Sequence, residues 1–423
     1  MSRWDWRKRK KIMGPAAAFP GPISRLSEEI FHHIFSMNTI SDQVFLTGKM
    51  TVEGPLSFNA LDTARHTSQV CRRWREWMLS SATIWGESLM LESLDQKSDN
   101  WREVVFARTK NARLSVVGNL RAFSPSTKFF LDKILGEHWE RLERLYVRVE
   151  ARTDYSMDIV KDSRWKCVTL PAPNLRIFNI KFWHTPPAVK GPLFEDAAPR
   201  LHAFLTHGLH FTSQNFSLKN LEWLAIIGAN PLVAADMFDL LSGMTRLQYL
   251  RLGVGVGDVE EQNVVPSSIP MILASKIDLR SLKNLEMSKE IRSVVFWLSN
   301  MSLPRGCAMH LSTYVDMPAK DVRSGGWVAV LFPQFVYVLR QQLGDVTSFD
   351  VMRVSWTRDK FSAKGYIAAN KGGEVDKPTP FSVIIHRRFH EYYMYSQDWN
   401  SVLHIIHAFF SGRNFARNVN VFD

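Results

Sequence analysis

The chain has 423 residues, of which 45% are hydrophobic and 22% charged, a composition typical of folded globular proteins and unlike that of extensively disordered chains. Its three cysteines, Cys71, Cys167 and Cys307, are far apart and odd in number, which excludes a disulfide framework and a Cys-x-x-Cys metal site and favours a reducing compartment. The net charge of +12 suits acidic partners, but it does not by itself predict a nucleic-acid-binding module.

The first 20 residues are predicted to form a basic, disordered tail. Residues 3–11 contain six lysines and arginines, a pattern found in nuclear localisation signals, in phosphate-contacting arms and in simply solvated tails. Pro15 and Pro20 interrupt the apolar stretch that a secretory signal would need. The most apolar stretch elsewhere, residues 328–339, has 12 residues, and a bilayer span needs roughly 20. We therefore expect no membrane association and a cytoplasmic or nuclear location.

A short amphipathic helix is predicted shortly after the tail. Ser27 can cap its N-terminus, and Glu28 and Glu29 supply the negative charge that the first turn of a helix favours. The apolar residues that follow form one stripe at helical spacing. They are Ile30, Phe31, Ile34 and Phe35.

A second short helix is predicted from about residue 70. Its polar residues face away from an apolar stripe, and both helices are too short to be stable alone, so each must bury its stripe against the other or against a partner. The apolar residues of this second stripe are Val70, Cys71, Trp74, Trp77 and Met78.

The two fragments resemble the F-box, in particular that of a large group of fungal proteins. The F-box opens with Leu-Pro-x-Glu-Ile/Leu-x-x-x-Ile-Phe and closes with Val-Cys-Arg/Lys-x-Trp, followed by Leu/Ile-Trp. The residues that match the pattern are Leu26, Glu29, Ile30, Ile34, Phe35, Val70, Cys71, Arg72, Trp74, Ile84 and Trp85.

The chain departs from the F-box pattern at two places. Ser27 stands where proline is expected, and serine serves equally well at a helix start. Residues 37–59 are longer than a minimal F-box permits and are interpreted as an inserted loop carrying Gly48, Gly54 and Pro55. Neither departure removes an apolar contact position.

The resemblance implies that the chain docks to the Skp-family adaptor of an SCF-type (Skp–cullin–F-box) ubiquitin ligase, and through it to a cullin scaffold. The rest of the chain would then select a protein substrate, whose identity is open, with the protein as a monomer within the complex. The spacing does not decide which matching residues form the internal core and which face the adaptor. The implied adaptor-binding residues are Leu26, Glu29, Ile30, Ile34, Phe35, Val70, Cys71, Trp74 and Trp85.

Beyond the F-box the pattern Leu-x-x-Leu-x-Leu recurs with substitutions at intervals of 20–35 residues. Such a unit cannot fold alone, because its few buried side chains do not offset the conformational entropy of its backbone, but stacked copies can share one core. Chance leucine triplets in an ordinary α/β protein are the alternative. The copies lack the asparagine of the best-known leucine-rich repeat, so an irregular array is expected. They begin at Leu142, Leu175, Leu201, Leu221, Leu247 and Leu282.

Other elements are predicted around these repeats. Residues 101–108, 128–135 and 236–244 are predicted helices, and Leu114 and Val116 are predicted to begin a strand. In the C-terminal third, strands are predicted in three segments, and a capping helix is predicted from Asp398 or Asn400 to Phe410, where Gly412 would end it. A separate small α+β domain is the alternative for this third. The three strand segments are 328–338, 349–356 and 381–385, with a loop at 371–377 between the last two.

We identify no catalytic or cofactor-binding pattern in the sequence. His386 and His390 have helical spacing, but the glutamate that a His-Glu-x-x-His zinc site needs is absent, and a polar turn is expected there. Residues 253–257 alternate glycine and valine, but the acidic residues that follow would repel phosphate, so a turn is expected. Cys71 lies on an apolar stripe without a neighbouring base, and a buried, inert thiol is expected.

The sequence therefore predicts an α/β fold, with a small all-α F-box module followed by an irregular leucine-rich-repeat-like solenoid. The expected divisions are a tail at 1–20, the F-box at 21–90, the array at 91–320 and the end of the array with its capping helix at 321–423. The expected function is that of a non-catalytic substrate adaptor of a ubiquitin ligase. The alternative is an intracellular repeat scaffold that binds protein or nucleic acid without ligase association.

Overall fold

The structure of the protein is a computed structural model. It describes 26–47, 59–149, 159, 161–182, 191–209, 211, 219–228, 234–253, 276–304, 306–315, 335, 337–338, 342, 349–357, 360–367, 379–387 and 419–422.

Helices dominate the first part of the chain and then become rarer. Short 3₁₀ turns at Leu91–Leu94, Trp139–Arg141, Ser163–Thr169 and Leu193–Asp196 accompany them, and a π-helical turn, Phe130–Leu135, continues α7. No helix within the described ranges is long and apolar enough to cross a membrane. The α-helices of the described residues are α1 Glu28–Ser36, α2 Asp42–Thr47, α3 Ala60–Thr67, α4 Arg72–Ser80, α5 Ala82–Gly86, α6 Asn100–Thr109, α7 Pro125–Phe129, α8 Ala234–Ser242 and α9 Ile291–Ser299.

The described strands begin where the first helices end. β8 and β10 form a small parallel pair of their own. The strands are β1 Leu89–Met90, β2 Leu114–Leu120, β3 Leu142–Val149, β4 Ile177–Phe182, β5 Ala203–His207, β6 Trp223–Ile227, β7 Tyr249–Leu252, β8 Ile277–Asp278, β9 Asn284–Glu290, β10 Met301–Ser302, β11 Ala308–Val315, β12 Phe349–Thr357, β13 Lys360–Ile367, β14 Thr379–Arg387 and β15 Val419–Phe422.

Thirteen of the described strands form one large, mostly parallel sheet. Their order is β1-β2-β3-β4-β5-β6-β7-β9-β11-β14-β13-β12-β15. From β1 to β14 every neighbouring pair is parallel, and only the pairings of β13 with its two neighbours are antiparallel. Up to β11 the strands of this sheet follow one another in chain order. The protein is therefore a mixed α/β structure built on a large parallel sheet.

The strand triplets predicted from the leucine pattern all lie on or beside described strands. Each copy begins with a buried leucine just before or at the start of a strand, and the next apolar positions alternate into the same core. Phe178 and Phe204 of adjacent strands, for example, stack with ring centroids 5.4 Å apart. The predicted helices at 101–108, 128–135 and 236–244 are likewise present, as α6, as α7 with its π-helical turn, and as α8.

The C-terminal third agrees with the predicted strands in part. Residues 349–356 and 381–385 lie in β12 and β14, which continue the same sheet. The strand predicted at 328–338 is wrong for Phe335, Tyr337 and Val338, which are helical. Phe335 and Val338 are buried in the main core, a helical i, i+3 pair. The loop at 371–377 and the capping helix predicted up to Phe410 lie outside the described residues.

The sheet has two faces with different coverings. We call the face that packs on most of the helices and on the 3₁₀ turns the core face, and the opposite one the second face. The side chains on the second face include Tyr146, Asn179, Leu205 and Ala225, which occupy one row across β3 to β6. A smaller apolar cluster lies on this second face and is separate from the main core.

The segment predicted as an inserted loop partly covers the second face. Its described residues, 37–47 and 59, contain α2 rather than loop alone, and Phe45 of that helix is fully buried in the second-face cluster. The amide of Asn179 donates to the carbonyl of Phe45 at 2.6 Å, and the guanidinium of Arg144 donates to the carbonyl of Ile40 at 2.9 Å and to Asp42 at 2.7 Å. The insertion is thus a clamp between the first helices and the sheet.

We expect Arg144→Ala to lower the free energy of unfolding by about 3 kcal/mol, because it removes charge-assisted hydrogen bonds from a buried group and leaves their partners unsatisfied. Urea titration measures the loss. Arg280→Ala is the control, since the exposed Arg280–Asp278 ion pair should contribute less than about 1 kcal/mol. Equal losses in the two variants would contradict a clamping role for Arg144.

Candidate partner-docking surface

The first helices form a small module, residues 26–47 and 59–86, that we call the helical module. Ser27 caps α1, with its hydroxyl 3.5 Å from the amide nitrogen of Ile30, and the same hydroxyl lowers the pKa of Glu29. Cys71 occupies the matching position before α4 and accepts from the amide of Trp74 at 3.5 Å. Side-chain caps therefore fix where both helices begin, as the sequence predicts for α1.

Aromatic side chains join α1 to α4 inside the module. Phe31 lies 5.5 Å from Trp74 and 4.5 Å from Trp77, measured between ring centroids, and Phe35 lies 5.2 Å from Trp74. Phe31 and Phe35 are buried, while Trp74 and Trp77 are half-buried and pack against the same core. Such ring pairs add to the free energy of area burial.

Trp85 anchors the module to the rest of the protein. Its ring is fully buried, its indole N–H donates to the carbonyl of Met78 at 2.6 Å, and the guanidinium of Arg108 from α6 lies 4.5 Å from the ring centroid. The main core is continuous from Phe31 through Trp85 to the sheet strands. The helical module and the sheet therefore share one hydrophobic core.

The opposite side of α1 carries large apolar side chains that face solvent. Ile30 is 48% exposed, Ile34 41% and Met37 69%. Ile30, Ile34 and Met37 stand at i, i+4 and i+7, which is one face of a helix that continues into its C-cap. Val70, in the turn before α4, is 61% exposed. We use the name apolar ridge for Ile30, Ile34 and Met37 of this helix face together with Val70, a further exposed apolar residue of the helical module.

The apolar ridge is unusual for a folded surface. Val104, Phe123, Leu170 and Tyr337 are the other large hydrophobic side chains found exposed among the described residues, and they belong to separate elements. Single exposed apolar residues are normal, but three on one helix face form a candidate docking surface.

The structure divides the predicted adaptor-binding residues into outward and inward groups. Phe35 and Trp85 point into the core, whereas Leu26 and Trp74 are half-buried at its edge. Spacing could have found Met37, which the sequence analysis missed, because it continues the Ile30 stripe by one more turn. The exposed members of the predicted set are Glu29, Ile30, Ile34, Val70 and Cys71.

The expectation that Cys71 is buried is wrong. Its thiol is exposed because the residue precedes α4 as the cap instead of lying within the helix. The other two cysteines are buried, and burial raises the pKa of Cys307 to about 12 and that of Cys167 still further. Both buried thiols are therefore protonated and unreactive at neutral pH.

Polar contacts hold α1 against α4 and α5 without using the ridge. Arg73 donates to the carbonyl of Leu26 at 3.2 Å, and its guanidinium lies 4.2 Å from the Trp77 ring centroid. On the other side, the ring of His32 and the hydroxyl of Thr83 are 3.2 Å apart. The position of α1 is thus fixed from both sides.

Metal-ligating side chains do not gather in the parts of the chain that the structure describes, where no group of three histidine, cysteine, aspartate or glutamate side chains could hold a metal ion. His386 lies within β14 and not in the predicted polar turn, since the strand Thr379–Arg387 includes it. His390 lies outside the described residues.

The scan against protein-family models found no match to this chain, and the search of curated proteins found none either.

Proposed function

We propose that the protein is a non-catalytic substrate-recognition subunit of an SCF-type ubiquitin ligase. The helical module would dock to the Skp-family adaptor, and the sheet, as an irregular leucine-rich-repeat-like array, would hold the target protein. Such a subunit acts by bringing a substrate lysine close to the ubiquitin-carrying enzyme and needs no catalytic residue of its own. The proposed location is cytoplasmic or nuclear.

The apolar ridge is the observation that carries this proposal. The module satisfies its own core with Phe31, Phe35 and Trp85, and it still presents Ile30 and Ile34 to solvent on the fragment that resembles the F-box. A stable interface buries about 1,200–2,000 Å² in total, with a few apolar or aromatic anchors supplying most of the binding energy. Ile30, Ile34, Met37 and Val70 are suited to be those anchors.

The strand arrangement supports the proposal for the rest of the chain. Consecutive parallel strands of one sheet, of which β3, β4, β5, β6, β7 and β9 each have a buried leucine at or just before their start, are the order that stacked repeats give. The clamp formed by Arg144, Asn179 and Phe45 fixes the helical module to that sheet. A fixed distance between adaptor and substrate surfaces is what a positioning subunit requires.

Co-purification with a Skp-family adaptor tests the proposal. The full chain, co-expressed with the adaptor, should elute from size exclusion as one complex with one copy of each. If the two proteins elute separately, the proposed function is wrong.

A second function has one observation in its favour. Among the described strands, β1 lies at one edge of the large sheet, and the helical module lies directly before it in the chain and shares its core. A module of this kind could simply cap the end of a repeat scaffold that binds protein or nucleic acid without ligase association.

Deletion of residues 1–90 would not separate the two functions. It removes Leu89 of β1 and the core residues Phe31 and Trp85, so the remainder is expected to unfold in either case. Substitutions on the apolar ridge are the sharper experiment, because a cap needs its buried residues and not its exposed ones.

A further inference from the structure

The carboxyl ends of three neighbouring strands place basic side chains next to one another on the second face of the sheet. Arg148 of β3 is in register with Lys181 of β4, and Lys181 is in register with His207 of β5. Adjacent strands lie about 4.8 Å apart, so the three positions span about 10 Å. We call these three residues the basic row.

The positive charge of this region extends beyond the row. Arg251 of β7 lies on the same face, and it is close enough to act on two members of the row. Burial, then Arg251 and Arg148, lower the pKa of Lys181, and burial, then Lys181 and Arg251, lower the pKa of His207. Basic side chains this close repel one another when both are protonated, and an anion that binds between them reduces this repulsion.

The side chains of this region are accessible to a ligand. Arg148 and Arg251 are exposed, and Lys181 and His207 are half-buried. The clamp of the helical module contacts Arg144 and Asn179, which stand closer to the amino ends of β3 and β4 than the row does. The Lys181 ammonium lies 5.2 Å from the centroid of the buried Tyr146 ring, which holds it in place.

One carboxylate on the second face lies beside Arg251. The guanidinium of Arg251 lies 3.3 Å from the carboxylate of Glu286. Both residues also line a depression of about 260 Å³ that continues to His310 and Ser382. Arg251 thus already binds a carboxylate side chain, with which an incoming acidic group would have to compete.

A second basic depression in the structure is a weaker candidate for a site that binds an acidic ligand. It has a volume of about 490 Å³ and is lined by Arg246, Arg280 and Lys283. Arg246 is already paired with Glu222 at 3.1 Å, and Arg280 with Asp278. An added anion would compete with a carboxylate for both arginines of this depression, whereas near the basic row it would compete with Glu286 for Arg251.

We infer that the basic row, together with Arg251, binds an acidic segment of a polypeptide. The inference deepens the proposed function, on which it rests for the role of this polypeptide as the substrate. A nucleic acid fits the same charge less well, because single strands are held by bases that stack on exposed aromatic rings. Here Tyr146 is buried, and Trp223 and Tyr249 stack on each other with centroids 4.6 Å apart.

Fluorescence anisotropy with a labelled peptide of alternating glutamate and glycine tests the inference at low salt, where surface charges are least screened. We expect the double variant Arg148→Glu, Lys181→Glu to bind the peptide about tenfold more weakly or worse than wild type. Arg148→Gln, Lys181→Gln is the milder version should charge reversal impair folding, and it should weaken binding in the same direction.

Lys166→Glu is the matched control. Lys166 is exposed on a 3₁₀ turn whose neighbours Trp165, Cys167 and Val168 are buried in the main core, which is on the other side of the sheet. It should change peptide affinity less than about twofold, an effect of net charge alone. Equal weakening by the control, or no binding of the peptide by wild type, would overturn the inference.

Two further measurements separate the remaining explanations. An oligothymidylate of the same charge should bind more weakly than the peptide, and tighter binding of the oligonucleotide to the same residues would overturn the inference in favour of nucleic acid. Adaptor binding is measured in parallel on the same proteins. If the protein binds the adaptor but not the peptide, only this inference is wrong. If it binds the peptide but not the adaptor, only the proposed ligase function is wrong.

Discussion

Ile30→Asp is expected to weaken adaptor binding strongly while leaving the protein folded. Ile30 is half exposed, so its replacement costs little packing, and an aspartate in the first turn of α1 is favoured by the helix dipole. In a docked complex the same carboxylate would be buried against apolar groups without a partner, which costs several kcal/mol. We expect the dissociation constant to rise roughly 30-fold or more, corresponding to about 2 kcal/mol, measured by titration calorimetry with the purified adaptor.

Leu170→Asp is the control for this prediction. Leu170 has the same exposed fraction, 48%, but it lies in the sheet region, after the 3₁₀ turn Ser163–Thr169. Its substitution should leave adaptor affinity unchanged. Ile34→Asp should repeat the effect of Ile30→Asp. If both ridge variants bind the adaptor as wild type does, the apolar ridge is not the docking surface and the capping function gains support.

Ridge substitutions test docking better than substitutions of the buried or half-buried positions of the F-box-like pattern would. Trp74 packs on Phe31 and Phe35, so Trp74→Ala would disturb the module's own core and reduce docking indirectly. The same holds for Phe35 itself, which is buried. Only exposed members of the pattern can separate loss of binding from loss of folding.

Trp85→Ala is expected to lower the free energy of unfolding by about 3–5 kcal/mol, which is the usual range for removing a fully buried aromatic side chain. The indole lies in the core that the helical module shares with the sheet, and its loss leaves the carbonyl of Met78 without the N–H that donates to it. The single core predicts that the module and the sheet unfold together. Denaturant unfolding followed by tryptophan fluorescence and by circular dichroism checks both statements.

Val70→Ala serves as the stability control, because Val70 is largely exposed and its truncation should change the free energy of unfolding by less than about 0.5 kcal/mol. Two separate transitions in the wild-type protein would show that module and sheet are independent units. A Trp85→Ala variant as stable as Val70→Ala would mean that the indole does not contribute to the core.

Local patterns in the sequence predicted most of the described strands and several helices. The leucine triplets at Leu142, Leu175 and Leu221 lie at β3, β4 and β6 because alternation with a period of two is a property of the strand itself. The helix at 236–244 followed equally from its own spacing. The strand predicted at 328–338 failed where it can be compared, since a run of apolar residues fits a buried helix as well as a strand.

The candidate site could be predicted only in part. Its residues were found by spacing, but the division between exposed Ile30 and buried Phe35 was not, because both lie on the same side of the predicted stripe. Contacts within the helical module decided which of the two residues is exposed, since Trp74 and Trp77 cover Phe31 and Phe35 and leave Ile30 to solvent. The exposure of Cys71 likewise depends on where α4 begins.

By itself the sequence determined most of the elements: where most of the described strands lie, where α1 is capped, and that an α/β protein follows a pair of short amphipathic helices. Only the tertiary structure decided which elements contact one another. The insertion became a clamp because Arg144 and Asn179, about 100 residues or more away along the chain, meet it. The basic row likewise exists only through strand register, since residues some 30 positions apart become neighbours when parallel strands pair.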